Sequence, residues 1–267
     1  KKTLNFLLKK ILKTKRKMID KIKQFETEKK DRIKQNGNDK KLKLLADKWI
    51  EESLMKKYVY NFSWLGRPII QYPQDILALQ EIIWDVKPDM IIETGIAHGG
   101  SLIFSATILS LLEISGEIKN GQVLGIDIDI REHNKKEINA HPMSKKITMF
   151  QGSSLDKNTI KKVYDFANKG KKILVCLDSN HTHEHVLNEL IVYAPLVSVG
   201  SYCIVQDTIV EDMPKGSYPN RPWDKGNNPK TALKEYLKIN PEFEIDKSIQ
   251  DKLLITCAPD GYLKRIN

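Results

Sequence analysis

Four apolar runs in this chain end in polar or acidic residues, and one of those ends is followed closely by a histidine. Asp178 closes the run KILVCLD and opens the cluster Asp178-Ser-Asn-His181-Thr-His183-Glu184-His185, while Gln206-Asp207 closes SYCIVQD. Oxygens from Asp178, Gln206 and Asp207 can surround a hard divalent ion such as Mg2+. The histidines keep a zinc or iron site open as a rival reading. His181 and His185 are four residues apart on an expected helix, which is zinc-helix spacing, but the full His-Glu-x-x-His pattern is absent. His181, three residues past Asp178, would stand beside a metal without having to bind it. A neutral imidazole there suits general-base work near pH 7. For His183 and His185, packing is the better account.

The second constellation is MIIETGIAHGGS, residues 90–101. An apolar run stops at Glu93, Thr94 and Gly95 enter a small-residue loop, and Gly99-Gly100-Ser101 opens a helix-length segment, LIFSATILSLL. Glycines let a backbone approach a ligand, and a helix N-terminus offers unpaired N–H groups. A Glu at the strand end disfavours phosphate and favours a ligand with hydroxyls or positive charge. S-adenosylmethionine, with its amino group and sulfonium, meets that requirement. Asp127 ends QVLGID, where a carboxylate can accept both ribose hydroxyls, with capping of the next turn as its ordinary role. Ser153 and Ser154 follow the third strand and can face an adenine edge, although serine in such turns usually only caps. An NAD site would share the loop and Asp127, but G-x-G-x-x-G is incomplete and Glu93 would sit beside a pyrophosphate.

The elements that must position these residues are legible from residue 74 onward. Helix-like DILALQEIIWDV precedes strand MIIE, and strands QVLGIDID, ITMFQGS, KILVCLD and SYCIVQDT then alternate with helical segments. Alternation of this kind predicts an α/β, doubly wound sheet, mainly parallel, with ligands at the C-terminal strand ends. At the end of the sequence KLLITCAP and GYLKRI, joined by Pro259-Asp260-Gly261, read as an antiparallel hairpin. The Pro-, Gly- and Asn-rich stretch Met213–Pro229 is a candidate lid carrying Tyr218, Arg221 and Trp223, of which Arg221 can meet a phosphate or carboxylate.

Bulk properties place the rest. The 267 residues allow one substantial core with a short appendage, and no apolar run approaches the roughly 20 residues that cross a bilayer. Lys1–Leu12 is basic and apolar but is followed by no small-residue cleavage site, so a signal peptide is not expected. Cys176, Cys203 and Cys257 are widely spaced in apolar runs and read as buried free thiols of a reducing cytoplasm. The formal net charge of +10 is uneven: residues 1–50 hold 18 Lys+Arg against 6 Asp+Glu, which leaves the remainder slightly acidic. Leu4, Leu7, Leu8, Ile11 and Leu12, then Met18, Ile19, Ile22 and Phe25, recur at helical spacing among these lysines. A break at 36–39 separates this helix from a second. The resulting basic helical arm, residues 1–55, would cover the domain at 56–267 or pair with a second copy, giving a homo-oligomer. Contact with an anionic membrane surface at the inner face ranks next, and nucleic acid ranks below both.

The run LDSNHTHEHVLNELIVYAPLVSVGSYCIVQDT, with IETGIAHGGS before it and WDKGNNPKTALKEYL after it, resembles the cephalosporin hydroxylase-like family. Despite that name, the family has the architecture of metal- and S-adenosylmethionine-dependent O-methyltransferases, related to macrolide-sugar and rhamnosyl methyltransferases. The resemblance covers roughly residues 60–267 and implies a Rossmann-like methyltransferase sheet. It implies that Glu93, Gly95 and Gly99-Gly100-Ser101 hold the methionine moiety and that Asp127 holds the ribose. It further implies that Asp178, Gln206 and Asp207 occupy Mg2+ positions with His181 as base. Family members often carry Glu-Asp where this chain has Gln206-Asp207, so one negative charge is replaced by a carbonyl oxygen. The expected reaction is O-methylation of a sugar hydroxyl, on a nucleotide-linked or surface-polysaccharide sugar. A metal-dependent hydroxylase or an NAD-binding oxidoreductase on the same fold is the alternative.

Overall fold

The computed structural model describes the backbone of residues 2–267 and the side chains of residues 18–267. Helix α1 (Lys2–Asn38) gives way at Asp39 to α2 (Lys40–Met55), and the Asp39 carboxylate caps α2 by accepting from the Leu42 N–H. The expected positions Leu4, Leu7, Leu8, Ile11 and Leu12 lie outside the described side chains. Their continuation, Met18, Ile19, Ile22 and Phe25, is exposed rather than laid on the domain. Helix α2 does cover the domain. Ile50 packs with Ile209 and Met213, and Trp49 meets the rings of Tyr58 and Tyr72.

A short hairpin of β1 (Ser63–Trp64) and β2 (Arg67–Pro68) leads into α3 (Pro73–Val86). The alternating part then runs β3 (Met90–Thr94), α4 (Gly100–Ile114), β4 (Gln122–Asp127), α5 (Glu132–Ala140), β5 (Ile147–Gln151), α6 (Lys157–Ala167), β6 (Ile173–Leu177), α7 (His183–Tyr193) and β7 (Tyr202–Val205). It closes with α8 (Pro229–Tyr236), β8 (Phe243–Ile245), α9 (Lys247–Leu253) and β9 (Tyr262–Arg265). The sheet order is β5-β4-β3-β6-β7-β9-β8, parallel from β5 through β7, with β9 antiparallel to both β7 and β8. Leu79, Ile83, Leu102 and Leu109 fill the core on one face, and Val163, Leu190, Tyr193 and Leu233 fill the other. With both faces covered, β3, β6 and β7 are buried along their whole length, which is why they read as unbroken apolar runs. This is the doubly wound, Rossmann-like sheet expected from the sequence. The three cysteines are free and buried, and among the described residues no helix is long and apolar enough to cross a membrane.

One expected element is different. The antiparallel pair near the end of the sequence is β8 with β9, and Leu254–Ala258 is not a strand joined to β9 by Pro259-Asp260-Gly261. A distant carboxylate satisfies that segment instead: Cys257 N–H donates to Asp75 Oδ2 (2.8 Å), and the Cys257 carbonyl accepts from Ile209 N–H (3.1 Å). The Tyr262 hydroxyl donates to the other Asp75 oxygen (2.9 Å). Burial pushes the Asp75 carboxyl up to about 6, against these hydrogen bonds, which pull it down. The folded protein therefore keeps this proton at pH values where the unfolded chain has lost it. Stability is accordingly expected to fall as pH rises from about 4 to about 6. Asp75→Asn should flatten that part of the profile, read from melting temperatures across the range; an unaltered slope would assign it to other groups.

The topology places the site. The chain leaves β3 outward to β4 and β5, then returns to lay β6 on the other side of β3, so the strand order reverses between β3 and β6. Crevices open at such switch points. In register, Thr94 is level with Ile126 and Leu177, and Leu177 with Val205. Glu93, Asp127, Asp178 and Gln206-Asp207 consequently share one edge of the sheet.

Candidate active site

The loop after β3 is built around Gly95. Its φ is +90°, its N–H donates to the Ile126 carbonyl (2.8 Å), and a Cβ there would collide with the Asp178 carbonyl. Glycine is required by both conformation and space. Gly100 is similarly enclosed by the Pro68 carbonyl, because β2 crosses the first turn of α4. Asp127 holds the loop: its Oδ2 accepts from Ile96 N–H (2.8 Å) and Ala97 N–H (3.3 Å), and its Oδ1 accepts from Asp129 N–H (3.0 Å). The carboxylate expected to face ribose thus also caps the next turn and pins the glycine loop.

A brace that sequence reasoning missed holds the same loop from outside. The Arg67 guanidinium donates to the His98 carbonyl (2.8 and 3.1 Å) and to Asn134 Oδ1 (3.0 Å), while Asn134 Nδ2 donates to the Ala97 carbonyl (2.9 Å). No spacing in the sequence links positions 67, 98 and 134. Glu93 is buried under the loop, where its carboxylate accepts the Ser101 hydroxyl. Burial pushes the Glu93 carboxyl up to about 7, partly offset by Ser101.

Two clefts meet at Gly95. One, of about 260 Å³, is lined by Asp127, Gly152, Ser153, Ser154, Asn180 and His185 among others. The second, smaller cleft is lined by Gly95, Gly100, Ser101 and Asp178 together with the 68–71 segment. Ser153 and Ser154 are therefore brought beside Asp127 as expected. His185, expected only to pack, also lines this cleft: its Nε2 lies 3.1 Å from Ser179 Oγ, 3.3 Å from Ser154 Oγ and 3.4 Å from the fully buried Glu189. His183 does pack, tying α7 to α8 through Thr231 (2.8 Å) and Glu235 (3.2 Å).

Asp178, His181 and Asp207 converge, each offering a ligand atom within 4.8 Å of the others. His181 is not on the expected helix. Asn180 Oδ1 accepts from Thr182 N–H and hydroxyl (both 2.9 Å), Thr182 stays extended as the N-cap, and α7 begins at His183. The i, i+4 relation of His181 to His185 is thereby broken: His181 faces Asp207, while His185 lines the larger cleft. His181 Nε2 lies 3.2 Å from Asp207 Oδ2, and Asp207 sits at φ 54°, a conformation uncommon for a residue with a side chain. Gln206 is buried beside it at the end of β7. Burial and the charges of Asp207, Glu93 and Glu189 all push the Asp178 carboxyl well above the usual carboxylate range. Among the described residues no Lys or Arg forms a salt bridge with Asp178 or Asp207. Crowded carboxylates with no cationic partner are a donor set that fits a divalent cation, with the His181 imidazole beside them.

The Met213–Pro229 loop reaches this cluster at Trp223. The Trp223 ring stands edge-on to His181 (centroids 4.7 Å, planes at 89°), and the Arg221 guanidinium lies 5.2 Å over Trp223. Tyr218 packs with Ile50, Ile209 and Met213, anchoring the loop to α2, and the charge of Asp207 adds to the burial that raises its hydroxyl pKa. Internal bonds hold the loop: Gly216 N–H to Asp224 (2.8 Å), Gly226 N–H to Glu211 (2.8 Å), and Lys230 Nζ to Asp212 (2.5 Å) at its base.

This geometry has known relatives. A family model described as rhamnosyl O-methyltransferase/CmcI matches residues 56–266. The chain belongs to that family. It is an S-adenosylmethionine-dependent O-methyltransferase by class, as the sequence resemblance implied. It is 27% identical over 223 residues to a rhamnosyl O-methyltransferase of Mycobacterium leprae, covering 81% of this chain and 90% of the relative. A rhamnosyl O-methyltransferase of Mycobacterium bovis is 28% identical over 224 residues, covering 81% and 85%. Among solved structures, an apo structure of CmcI superposes with a TM-score of 0.55 at 20% identity, covering 78% of this chain and 77% of that one. CmcI with Mg and SAM gives 0.53 at 20% identity, covering 78% of each. The two CmcI structures share the fold with this chain.

Proposed function

We propose that this O-methyltransferase methylates a hydroxyl of a sugar with the help of a divalent cation, Mg2+ by its oxygen-rich donor set. The observation that carries this reading is the convergence of Asp178, His181 and Asp207, of which Asp178 lines the smaller cleft beside Gly95. Relatives named for rhamnosyl methylation support a deoxyhexose acceptor, nucleotide-linked or in a surface polysaccharide.

In this reading Ser153, Ser154 and His185 would hold the adenine of S-adenosylmethionine, Asp127 its ribose, and Glu93 with Thr94–Ser101 its methionine end. Asp178 and Asp207, with Gln206 at their side, hold the cation. Such an ion lowers the pKa of the substrate hydroxyl beside it. His181 takes the hydroxyl proton, and the imidazolium formed faces the Asp207 carboxylate 3.2 Å from its Nε2. Trp223, edge-on to His181, limits rotation of that ring and offers an apolar face to the sugar. Arg221 above it can meet a phosphate of a nucleotide-linked acceptor. The chain's main contribution is positional: a rigid sheet edge holds the methyl donor, and the loop holds the acceptor in line with it.

Calorimetry and a transfer assay test this together. The protein should bind S-adenosylhomocysteine and not NADH, and should pass labelled methyl to members of a nucleotide-sugar and rhamnoside panel, with transfer lost in EDTA and restored by Mg2+. No affinity for S-adenosylhomocysteine would overturn the donor, and full activity in EDTA would overturn the cation.

A further inference from the structure

The segment between β2 and α3 carries a polar group that no role described so far accounts for. Gln71 is 7% exposed, its Oε1 is buried, and that oxygen has no hydrogen-bond partner. Buried carbonyl oxygens are almost always paired, so an unpaired one calls for an explanation. Gln71 lines the smaller cleft with Gly95, Gly100, Ser101 and Asp178. Its backbone is held firmly. Ile69 N–H donates to the Phe62 carbonyl (3.1 Å), the Pro68 carbonyl is seated against Gly100, and the following Tyr72 is fully buried with its hydroxyl 2.7 Å from Ser53 Oγ. Pro73 then opens α3. The amide therefore belongs to a fixed wall.

The cleft has two electrostatic characters. The N-terminus of α4 at Gly100-Ser101 presents N–H groups and favours an anion. Glu93, which sits against Ser101, and the unpaired Gln71 oxygen favour a cation or a strong donor. A ligand end carrying an ammonium and a carboxylate on one carbon satisfies both, and neither a lone phosphate nor a lone amine does. Resting on the donor reading above, we infer that Gln71 Oε1 accepts a hydrogen bond from the α-ammonium of the methyl donor's amino-acid end. Gln71 is thus a donor-binding residue supplied from outside the glycine loop.

Gln71→Leu keeps the side chain's bulk and removes the amide. Calorimetry should compare wild type and variant with three probes: S-adenosylhomocysteine, its decarboxylated analogue that keeps the amine, and 5′-methylthioadenosine, which lacks the amino-acid end. The variant should lose about tenfold or more in affinity for the first two, as for a hydrogen bond to a charged group, and bind the third like wild type. Unchanged S-adenosylhomocysteine binding by the variant would overturn the inference, as would a loss confined to probes that carry the carboxylate. An equal loss for all three would show a structural role and overturn it too. Gln71→Asn, read the same way, should fall between wild type and Gln71→Leu, and normal 5′-methylthioadenosine binding shows that each variant is folded. If wild type itself binds none of the probes, the donor reading fails, a result distinct from failure of the Gln71 assignment.

Discussion

Asp178→Ala should abolish methyl transfer, lowering turnover by about a thousandfold, while S-adenosylhomocysteine still binds close to wild-type affinity. The separation follows from which part of the residue does what. Its backbone forms the floor of the donor cleft: the N–H donates to the Thr94 carbonyl (2.9 Å), and the carbonyl packs where a Gly95 side chain would be. Those contacts survive in the variant. The carboxylate, by contrast, is crowded by Asp207, Glu93 and Glu189, and removing it deletes both a cation donor and a source of like-charge repulsion. Without added metal, Asp178→Asn should therefore melt at or above the wild-type temperature although it is inactive. Wild-type turnover in Asp178→Ala would remove it from the cation site. A marked loss of donor affinity would show that the side chain supports the glycine loop.

His181→Ala should cost about a hundred- to ten-thousandfold in turnover across neutral pH, the range in which a positioned general base contributes. The substitution also removes the surface against which Trp223 stands edge-on. A base and a mere support separate by where the damage falls. Loss of the base lowers kcat with donor binding intact, whereas loss of support for the loop raises the acceptor KM. Trp223→Ala gives the comparison, since it should raise KM more than it lowers kcat. A His181→Ala enzyme with normal kcat and only a raised KM would leave the proton transfer to another group.

The parts of this site that the sequence revealed are those where chemistry coincides with the end of an apolar run. Glu93, Asp127, Asp178 and Asp207 each interrupt a buried strand, and a polar residue there has only the sheet's edge to face. The glycine loop was legible for a related reason, because Gly95 and Gly100 answer to close backbone approach and no side chain fits. What stayed hidden depends on partners far away in the sequence. Leu254–Ala258 is apolar enough for a strand, yet Asp75 and the Thr208–Glu211 turn take its polar groups first. His181 and His185 carry helical spacing, but Asn180 and Thr182 delay the helix and send the rings apart. The Arg67–His98–Asn134 brace and the unpaired Gln71 amide exist only once β2 has crossed α4.

The two halves of the reaction are written into different kinds of structure. In the proposed site, donor recognition would be made largely from backbone, from glycines with no room for a side chain and from a loop pinned by Asp127 and Arg67, so changing the donor would mean rebuilding the centre of the sheet. The groups proposed for the acceptor, Arg221 and Trp223, stand on a loop braced by its own bond between Gly216 and Asp224 and anchored by Glu211 and Tyr218. Substitutions there leave the folding core untouched. On the proposed reading, substitutions at Arg221 and Trp223 are where a change of acceptor would be made while the methyl-donor loop stays fixed.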